Sequence, residues 1–519
     1  MGPLNIGALL ARHARLDPDT VGARDLDRQM SFREWNRRAC RLANALRGLG
    51  LSKGDRIAVL AYNCIEWLEI YAATAKTGLI AVPINFRLVA PEIRFIVENC
   101  EASGLIVQDA LAGVIEEIRR DLPVPADCYI HFGRAPAPAG YRDYEALIEA
   151  ARDEEPDVAV GPHDPWTLMY TSGTTGRPKG AIRSHTGSAL LSFVTQVELQ
   201  LTRQDSALLV MPLCHANSLF FFGAFAAGGA PCCVYSRRSF DPEHCLATLA
   251  NGGTTFTSLV PTQYIMMLNL PAKVRAAHDV ARVSKLMISS APARQDTKRE
   301  IMAMFPNAGL FELYGSTEAG WVTMLHPDEQ FTKLGSVGRE CVGSRPIRLL
   351  DERGEEVPDG TPGELYSSNP WTFDGYWKLP DKTREAFRGD YCTVGDMARR
   401  DADGYIHLVD RKTNMIVSGG ENVYPSEVEG IVGTHPKVKD VAVIGVADAI
   451  WGERVHAVVI PRGGVDLTAE EVLAWCRDRI AGYKRPRSVS IISDDEMPRT
   501  ATGKVLHRAL RARFAAPPR

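Results

Sequence analysis

No stretch of about 20 uninterrupted apolar residues occurs in this chain, which excludes a plain membrane-spanning helix. The nearest approach is residues 206–236, which hold no Lys, Arg, Asp or Glu. Pro212, His215, Asn217, Gly228, Gly229 and Pro231 interrupt it, so it reads as buried strand, loop, helix and strand. Cys-x-x-Cys spacing is also missing. The 11 cysteines are scattered and odd in number, which argues against a zinc site and for reduced thiols in a cytoplasmic protein. Net charge is small: 60 Lys and Arg against 63 Asp and Glu leave −3, and nothing points to a nucleic-acid partner. No apolar core follows a basic N-terminus, so no export signal is expected. Met1-Gly2 lacks the Ser or Thr that a myristoylation signal wants at position 6, where Ile6 stands. No internal repeat or low-complexity tract stands out.

What is present fits a globular protein, with 45% apolar and 24% charged residues. At 519 residues the chain is too long for one ordinary core, and its length suggests about three or four domain-sized units. The first part alternates helix and strand. Residues 31–50 put Trp35, Ala39, Leu42, Ala43 and Leu46 on one helical face. Strands are expected near 56–60, 80–82 and 105–107, with helices near 65–77 and 91–99 between them. This alternation is that of βαβ units in a parallel sheet, and it recurs from Trp166 to Leu313. Around 335–366 short β-type runs and turns suggest a small antiparallel barrel or sheet. After Asp410 comes a compact α+β tail, with strands near 441–446 and 455–460 and a helix near 469–480. Nine Lys or Arg follow Ala481 against three acids, a basic end suited to a solvated face or to the phosphates of a nucleotide-like ligand.

One segment carries more chemistry than any other. Residues 170–180 read Tyr-Thr-Ser-Gly-Thr-Thr-Gly-Arg-Pro-Lys-Gly. Glycines allow close backbone approach, successive N–H groups can cradle an anion, and hydroxyls with two cations suit a polyphosphate. The P-loop pattern G-x-x-x-x-G-K-[ST] is excluded: Gly173 and Gly176 are too close together and Gly180 follows Lys179. A bare flexible linker seldom combines so many hydroxyls with both basic residues.

With five further segments in order, this loop resembles the signature of the adenylate-forming superfamily of acyl-CoA synthetases, peptide-synthetase adenylation domains and luciferases. Those segments are Tyr314-Gly315-Ser316-Thr317-Glu318, Val394-Gly395-Asp396, Asp410-Arg411-Lys412, Ser418 to Pro425, and Pro498 to Lys504. The resemblance covers nearly the whole chain and is closest to bacterial fatty-acid or aryl-acid CoA ligases. It implies an α/β fold. A large N-terminal domain, residues 1–411, would hold two packed, mostly parallel sheets and a small β-barrel. A small mobile α+β domain, residues 412–519, would carry a catalytic lysine.

The resemblance also implies the chemistry. A carboxylate attacks the α-phosphate of ATP, and the acyl-AMP then meets the thiol of coenzyme A. Thr171, Ser172, Gly173, Thr174, Thr175, Gly176 and Lys179 would hold phosphates; Ser290, Ala291, Pro292, Tyr314 and Gly315 the adenine; Ser316 and Thr317 would complete the nucleotide site. Glu318 would bind Mg²⁺, a hard cation that prefers carboxylate and phosphate oxygens. Asp396 can accept from a ribose diol and Arg411 can donate to ribose or phosphate oxygens. Lys504 would contact the carboxylate and α-phosphate in adenylation, then withdraw as the small domain turns about Thr413. Ser418, Gly419, Gly420, Glu421, Trp451, Tyr483 and Arg485 would then receive coenzyme A. The acyl pocket would be lined by His215, Asn217, Phe220, Phe221, Gly223, Val260 and Trp321. No basic residue stands out among these to pair with a second substrate carboxylate, so an apolar fatty or aromatic monocarboxylate is expected. The catalytic residues would be Lys504, Thr174, Glu318 and His215.

Three positions depart from the family pattern. The hinge is Thr413 where Asp or Lys is common, the aromatic–His pair is Cys214-His215, and Thr-Gly-Asp is Val394-Gly395-Asp396. A homodimer is compatible with these features. Two other readings stay beside the CoA ligase: a stand-alone ligase loading a phosphopantetheinyl carrier protein, and a non-catalytic nucleotide-binding scaffold.

Overall fold

The computed structural model describes residues 4–171, 178–289, 293–412, 414–418, 421–448, 451–477, 479–500 and 503–514, without the side chains at 411 and 422. By packing, the chain divides into two compact units: 1–346 with 367–392, and 347–366 with 393–519. The boundary expected between 411 and 412 falls inside the second unit, where the strand Ile406–Arg411 runs into Lys412.

The first unit holds two large sheets and a two-stranded one, Phe387–Arg388 with Tyr391–Cys392. In one the strand order is Gly375–Tyr376, Lys179–Ser184, Pro165–Thr171, Ile80–Ile84, Arg56–Leu60, Gly104–Gln108, Tyr129–Phe132 and Arg142–Asp143. Pairing is parallel from Pro165–Thr171 onward, and the Lys179–Ser184 and Gly375–Tyr376 strands add an antiparallel edge. In the other sheet, Gly309–Ser316, Lys285–Ser289, Phe256–Leu259, Ala207–Leu209, Cys232–Val234 and Val21–Arg24 are parallel neighbours. Antiparallel strands close its two ends: Gly320–Leu325 with Arg339–Glu340, and Gln29–Ser31. The strands at 56–60 and 80–84 are buried along almost their whole length, as expected where helices cover both faces of a parallel sheet.

The helices follow from the apolar spacing. Phe32–Gly48 starts where the Ser31 hydroxyl accepts from the Glu34 N–H at 3.2 Å, and it buries Trp35, Ala39, Leu42, Ala43 and Leu46. The run expected to be mistaken for a membrane span contains the helix Ala216–Gly228, apolar on every side and stopped by Gly229 in the left-handed region at φ 73°. It is a core helix, sharing one continuous hydrophobic cluster with residues of both sheets. No described helix is long and apolar enough to cross a membrane.

Buried polar side chains join the two sheets. The Asn63 amide accepts from the Leu213 N–H at 2.8 Å and donates to the Met211 carbonyl at 3.1 Å. The Tyr71 hydroxyl donates to the Leu213 carbonyl at 2.7 Å. Residues of the first sheet's layer thereby fix the segment that leads into His215.

The second unit contains an antiparallel four-stranded sheet in the order Arg348–Leu350, Gly363–Tyr366, Asp396–Arg400 and Ile406–Arg411, the sheet form of the small β structure expected near 335–366. Its other sheet is built on a long hairpin, Val438–Asp448 with Gly452–Pro461, longer at both ends than the apolar runs suggested because pairing continues through polar residues. The helix expected to reach 480 ends at Trp475. There the Arg479 guanidinium lies 4.0 Å from the centroid of the Trp475 ring and donates to the Trp475 carbonyl at 3.0 Å, satisfying a carbonyl at the helix end.

Phe222 tests the central cluster. It is fully buried, with ring centroids 5.9 Å from both Tyr71 and Trp35. Phe222→Ala is expected to lower unfolding stability by about 3–5 kcal/mol in chemical denaturation.

Candidate active site

The site of the first unit forms where strands of its two sheets end. Thr171 closes the strand Pro165–Thr171, and Lys179, its register partner, opens the next strand. The Ser172, Gly173, Thr174, Thr175 and Gly176 of the phosphate loop lie outside the described residues, as do Ser290, Ala291 and Pro292. On the second sheet, Gly309–Ser316 and Gly320–Leu325 form a hairpin whose turn carries Thr317, Glu318 and Ala319. Gly315 has no room for a side chain, because a Cβ there would lie 2.3 Å from the Gly320 carbonyl oxygen. The Ser316 hydroxyl accepts from the Ala319 N–H at 2.9 Å and so braces the turn.

Glu318 connects the two sheets. Only 8% exposed, its Oε1 accepts from the Thr171 hydroxyl at 3.1 Å and from the Tyr376 hydroxyl at 3.0 Å. Its Oε2 takes no donor among the described residues. A buried carboxylate that keeps one oxygen for a further partner fits a hard cation, and its position at the foot of the phosphate loop fits one shared with phosphates. No described cluster of three or more His, Cys, Asp or Glu could hold a metal alone. Lys179 extends over the Tyr376 ring, its Nζ 4.0 Å from the centroid.

Several side chains around the turn were not singled out by sequence. Tyr376 belongs to a two-residue edge strand with no recognisable spacing. Arg183, 1% exposed, donates from Nη1 to the carbonyls of Thr317 and Glu318, each at 3.2 Å. Burial lowers its pKa to about 10, against the opposing pull of Asp374 and Glu318. Behind Tyr314, Glu312 forms a buried ion pair with Lys298 of the helix Gln295–Met304. Burial raises the Glu312 carboxyl, while Lys298 and an N–H of Ala293, the residue after Pro292, draw it down.

The expected acyl residues are partly brought together. His215 is half-buried and leads into the helix Ala216–Gly228. The Asn217 amide donates to the Ser289 hydroxyl at 2.7 Å, Ser289 lies 3.4 Å from Ser258, and Val260 follows that strand. The Asn217 Oδ1 is buried with no partner among the described residues, leaving an acceptor beside the Ser258 and Ser289 hydroxyls. Phe220 meets Trp321 edge-on at 5.1 Å. Phe221 is fully buried between Trp321 and Phe256. Gly223 sits at a helix–helix contact, where a Cβ would come within 2.6 Å of the Ser192 hydroxyl.

In the second unit, Asp396 is buried at the start of its strand and is the register partner of Arg411. Lys504 is exposed on a tight turn: Gly503 takes φ 84°, and the Thr500 N–H donates to the Lys504 carbonyl at 2.7 Å. Ser418, buried and with no partner for its hydroxyl among the described residues, pairs with Gly452, the residue after Trp451. Glu421 is exposed on the adjoining strand, which packs on the Gly482–Lys484 turn bearing Tyr483. The Arg487 guanidinium lies 3.6 Å from the Trp451 ring centroid, and the Arg485 Nε donates to the Ile480 carbonyl at 3.0 Å. Gly419, Gly420 and Thr413 lie outside the described residues.

Residues 10–377 match the family model described as AMP-binding enzyme, and residues 427–504 match the AMP-binding enzyme C-terminal domain. The chain belongs to this adenylate-forming family and is an enzyme of the AMP-forming acid–thiol ligase class. It is similar to a feruloyl-CoA synthase of an Amycolatopsis species, 37% identical over 98% of this chain and 99% of the relative. It is also similar to an indoleacetate–CoA ligase of Aromatoleum aromaticum, 34% identical over 97% and 96% of the two chains. Among solved structures, an anthranilate CoA ligase in complex with anthranoyl-AMP aligns with TM-score 0.90 at 28% identity, covering 99% of this chain and 98% of that one.

The Gly315 approach leads to a direct test. Gly315→Ala must part the hairpin that carries Glu318, so it is expected to cost about 1–3 kcal/mol of stability. It should also suppress carboxylate-dependent pyrophosphate exchange, read with radiolabelled pyrophosphate.

Proposed function

We propose that the protein joins an apolar monocarboxylate to coenzyme A at the expense of ATP, releasing AMP and pyrophosphate. Of the fatty and aromatic acids that fit an apolar pocket, the aromatic are favoured, since the two relatives described above are named for ferulate and indoleacetate. The observation that carries the reading is the Thr171–Glu318 hydrogen bond, which sets a buried carboxylate at the foot of the phosphate loop.

A carboxylate oxygen of the acid attacks the α-phosphorus, the bond to pyrophosphate breaks, and acyl-AMP remains. Thr174, Lys179 and the loop between them hold the departing phosphates, while Asp396 and Arg411 orient the ribose. Mg²⁺, with Glu318 as its protein ligand, would neutralise phosphate charge. The Lys504 ammonium, a mobile point charge, stabilises the oxygens of the attacking carboxylate and α-phosphate. The segment 412–519 then pivots at Thr413 and Lys504 leaves. The Ser418 to Glu421 segment and Trp451 take its place, guiding the thiol to the acyl carbon, from which AMP departs. Tyr483 and Arg485 meet the nucleotide end of coenzyme A.

Incubation with ATP, Mg²⁺, coenzyme A and ferulate, indoleacetate, anthranilate or dodecanoate is expected to yield AMP and an acyl-CoA thioester. Release of ADP overturns the reaction, and transfer to a phosphopantetheinyl carrier but not to coenzyme A overturns the acceptor. Lys504→Ala should slow adenylation about 100-fold or more while thioester formation from supplied acyl-AMP is largely kept. Equal loss of both steps in single-turnover measurements counts against the pivot.

A further inference from the structure

Arg183 is an unusual residue to find in a sheet interior. It sits on the strand Lys179–Ser184, opposite Thr167, and is almost wholly buried. A buried guanidinium is costly unless its charge is paired and its donors are used. Here Nη1 serves two carbonyls, but among the described residues Nε and Nη2 have no hydrogen-bond partner and no direct ion pair compensates the charge. The remaining face of the guanidinium lies 5.0 Å from the centroid of Phe220. Such an arrangement stabilises the fold poorly, so its retention calls for another account.

The two carbonyls supply one. They belong to Thr317 and Glu318, successive residues of the turn whose carboxylate reaches Thr171 and Tyr376. The Phe373 N–H donates to the same Glu318 carbonyl at 2.8 Å. The backbone of Glu318 is therefore held on one side by a cation and an amide, while its Oε1 is held on the other by two hydroxyls. Rotation of the Thr317–Glu318 peptide would break the Arg183 contacts and swing Oε2 away from its present direction. Lysine could not replace the fork, since a single ammonium nitrogen on a flexible stem does not present the planar guanidinium geometry.

We propose that Arg183 is a positioning residue for the metal ligand: by clamping the Thr317 and Glu318 carbonyls it keeps the Glu318 carboxylate aimed at the cation that accompanies ATP. The inference rests on Glu318 as the metal ligand. It is tested by electron paramagnetic resonance titration of Mn²⁺ into the protein–ATP complex, comparing wild type with Arg183→Lys, Arg183→Met and Glu318→Gln, alongside metal-free ATP binding and thermal unfolding. Arg183→Lys should weaken Mn²⁺ binding about tenfold and leave metal-free ATP binding unchanged. Should Arg183→Met fail to fold, Arg183→Lys decides. Wild-type Mn²⁺ affinity in Arg183→Lys, with affinity lost in Glu318→Gln, overturns the inference alone. Wild-type affinity in Glu318→Gln overturns the metal reading and the inference together. Loss of metal-free ATP binding in Arg183→Lys also overturns it, since the residue would then support the whole nucleotide site.

Discussion

The first unit turns on a single buried carboxylate. Glu318 belongs to the turn of a hairpin in one sheet, and both donors to its Oε1 come from strands of the other, Thr171 from Pro165–Thr171 and Tyr376 from the edge strand Gly375–Tyr376. A carboxylate removed from water has to be paid back in hydrogen bonds, and two hydroxyls do this while leaving one oxygen without a donor among the described residues. The contact is structural and chemical at once. It ties the two sheets together beside the phosphate loop, and it presents oxygen where a hard cation would sit. The tight turn that makes it possible depends on Gly315, which lets the Gly320 carbonyl approach more closely than any side chain permits.

The same logic of satisfied buried polarity runs through the packing. Asn63 and Tyr71 reach from the first sheet's layer to carbonyl and amide groups of residues 211–213, so the entrance to the core helix Ala216–Gly228 is held by hydrogen bonds as well as apolar contacts. Apolar contact alone is non-directional and would leave that segment free to slide. Directional bonds fix where His215 and Asn217 emerge. The buried groups without a partner among the described residues include the Asn217 Oδ1, the Ser418 hydroxyl in the second unit, and two nitrogens of Arg183. Each of these three residues lies at or beside a position expected to serve catalysis or binding, which is where proteins tolerate local cost.

Much of the fold was legible along the chain. The strand Arg56–Leu60 and the helix Phe32–Gly48 agree with the spacing of apolar residues to within two positions, because period and capping are local properties. The long hairpin of the second unit was underestimated because strand pairing carries polar residues along once the register is set. The helix from Ala469 was overestimated: it ends at Trp475, whose carbonyl takes a donor from the Arg479 side chain, a contact that periodicity does not encode. Gly223 and Phe221 looked like pocket residues, and their surroundings are those of helix packing and core.

By itself the sequence determined the reaction class. The loop at 170–180, the Thr317-Glu318 pair, Asp396 and the Lys504 turn belong to short contiguous segments that carry the family resemblance, and their order along the chain is informative without coordinates. Only the tertiary structure decided what holds that chemistry in place. The partners of Glu318 lie 58 and 147 residues away, and they meet it because strands distant in sequence end at the same edge. Arg183 likewise finds its two carbonyls 134 and 135 residues further on. Hydrogen bonds act over about 3 Å of space and are blind to distance along the chain, so no local pattern could have announced them.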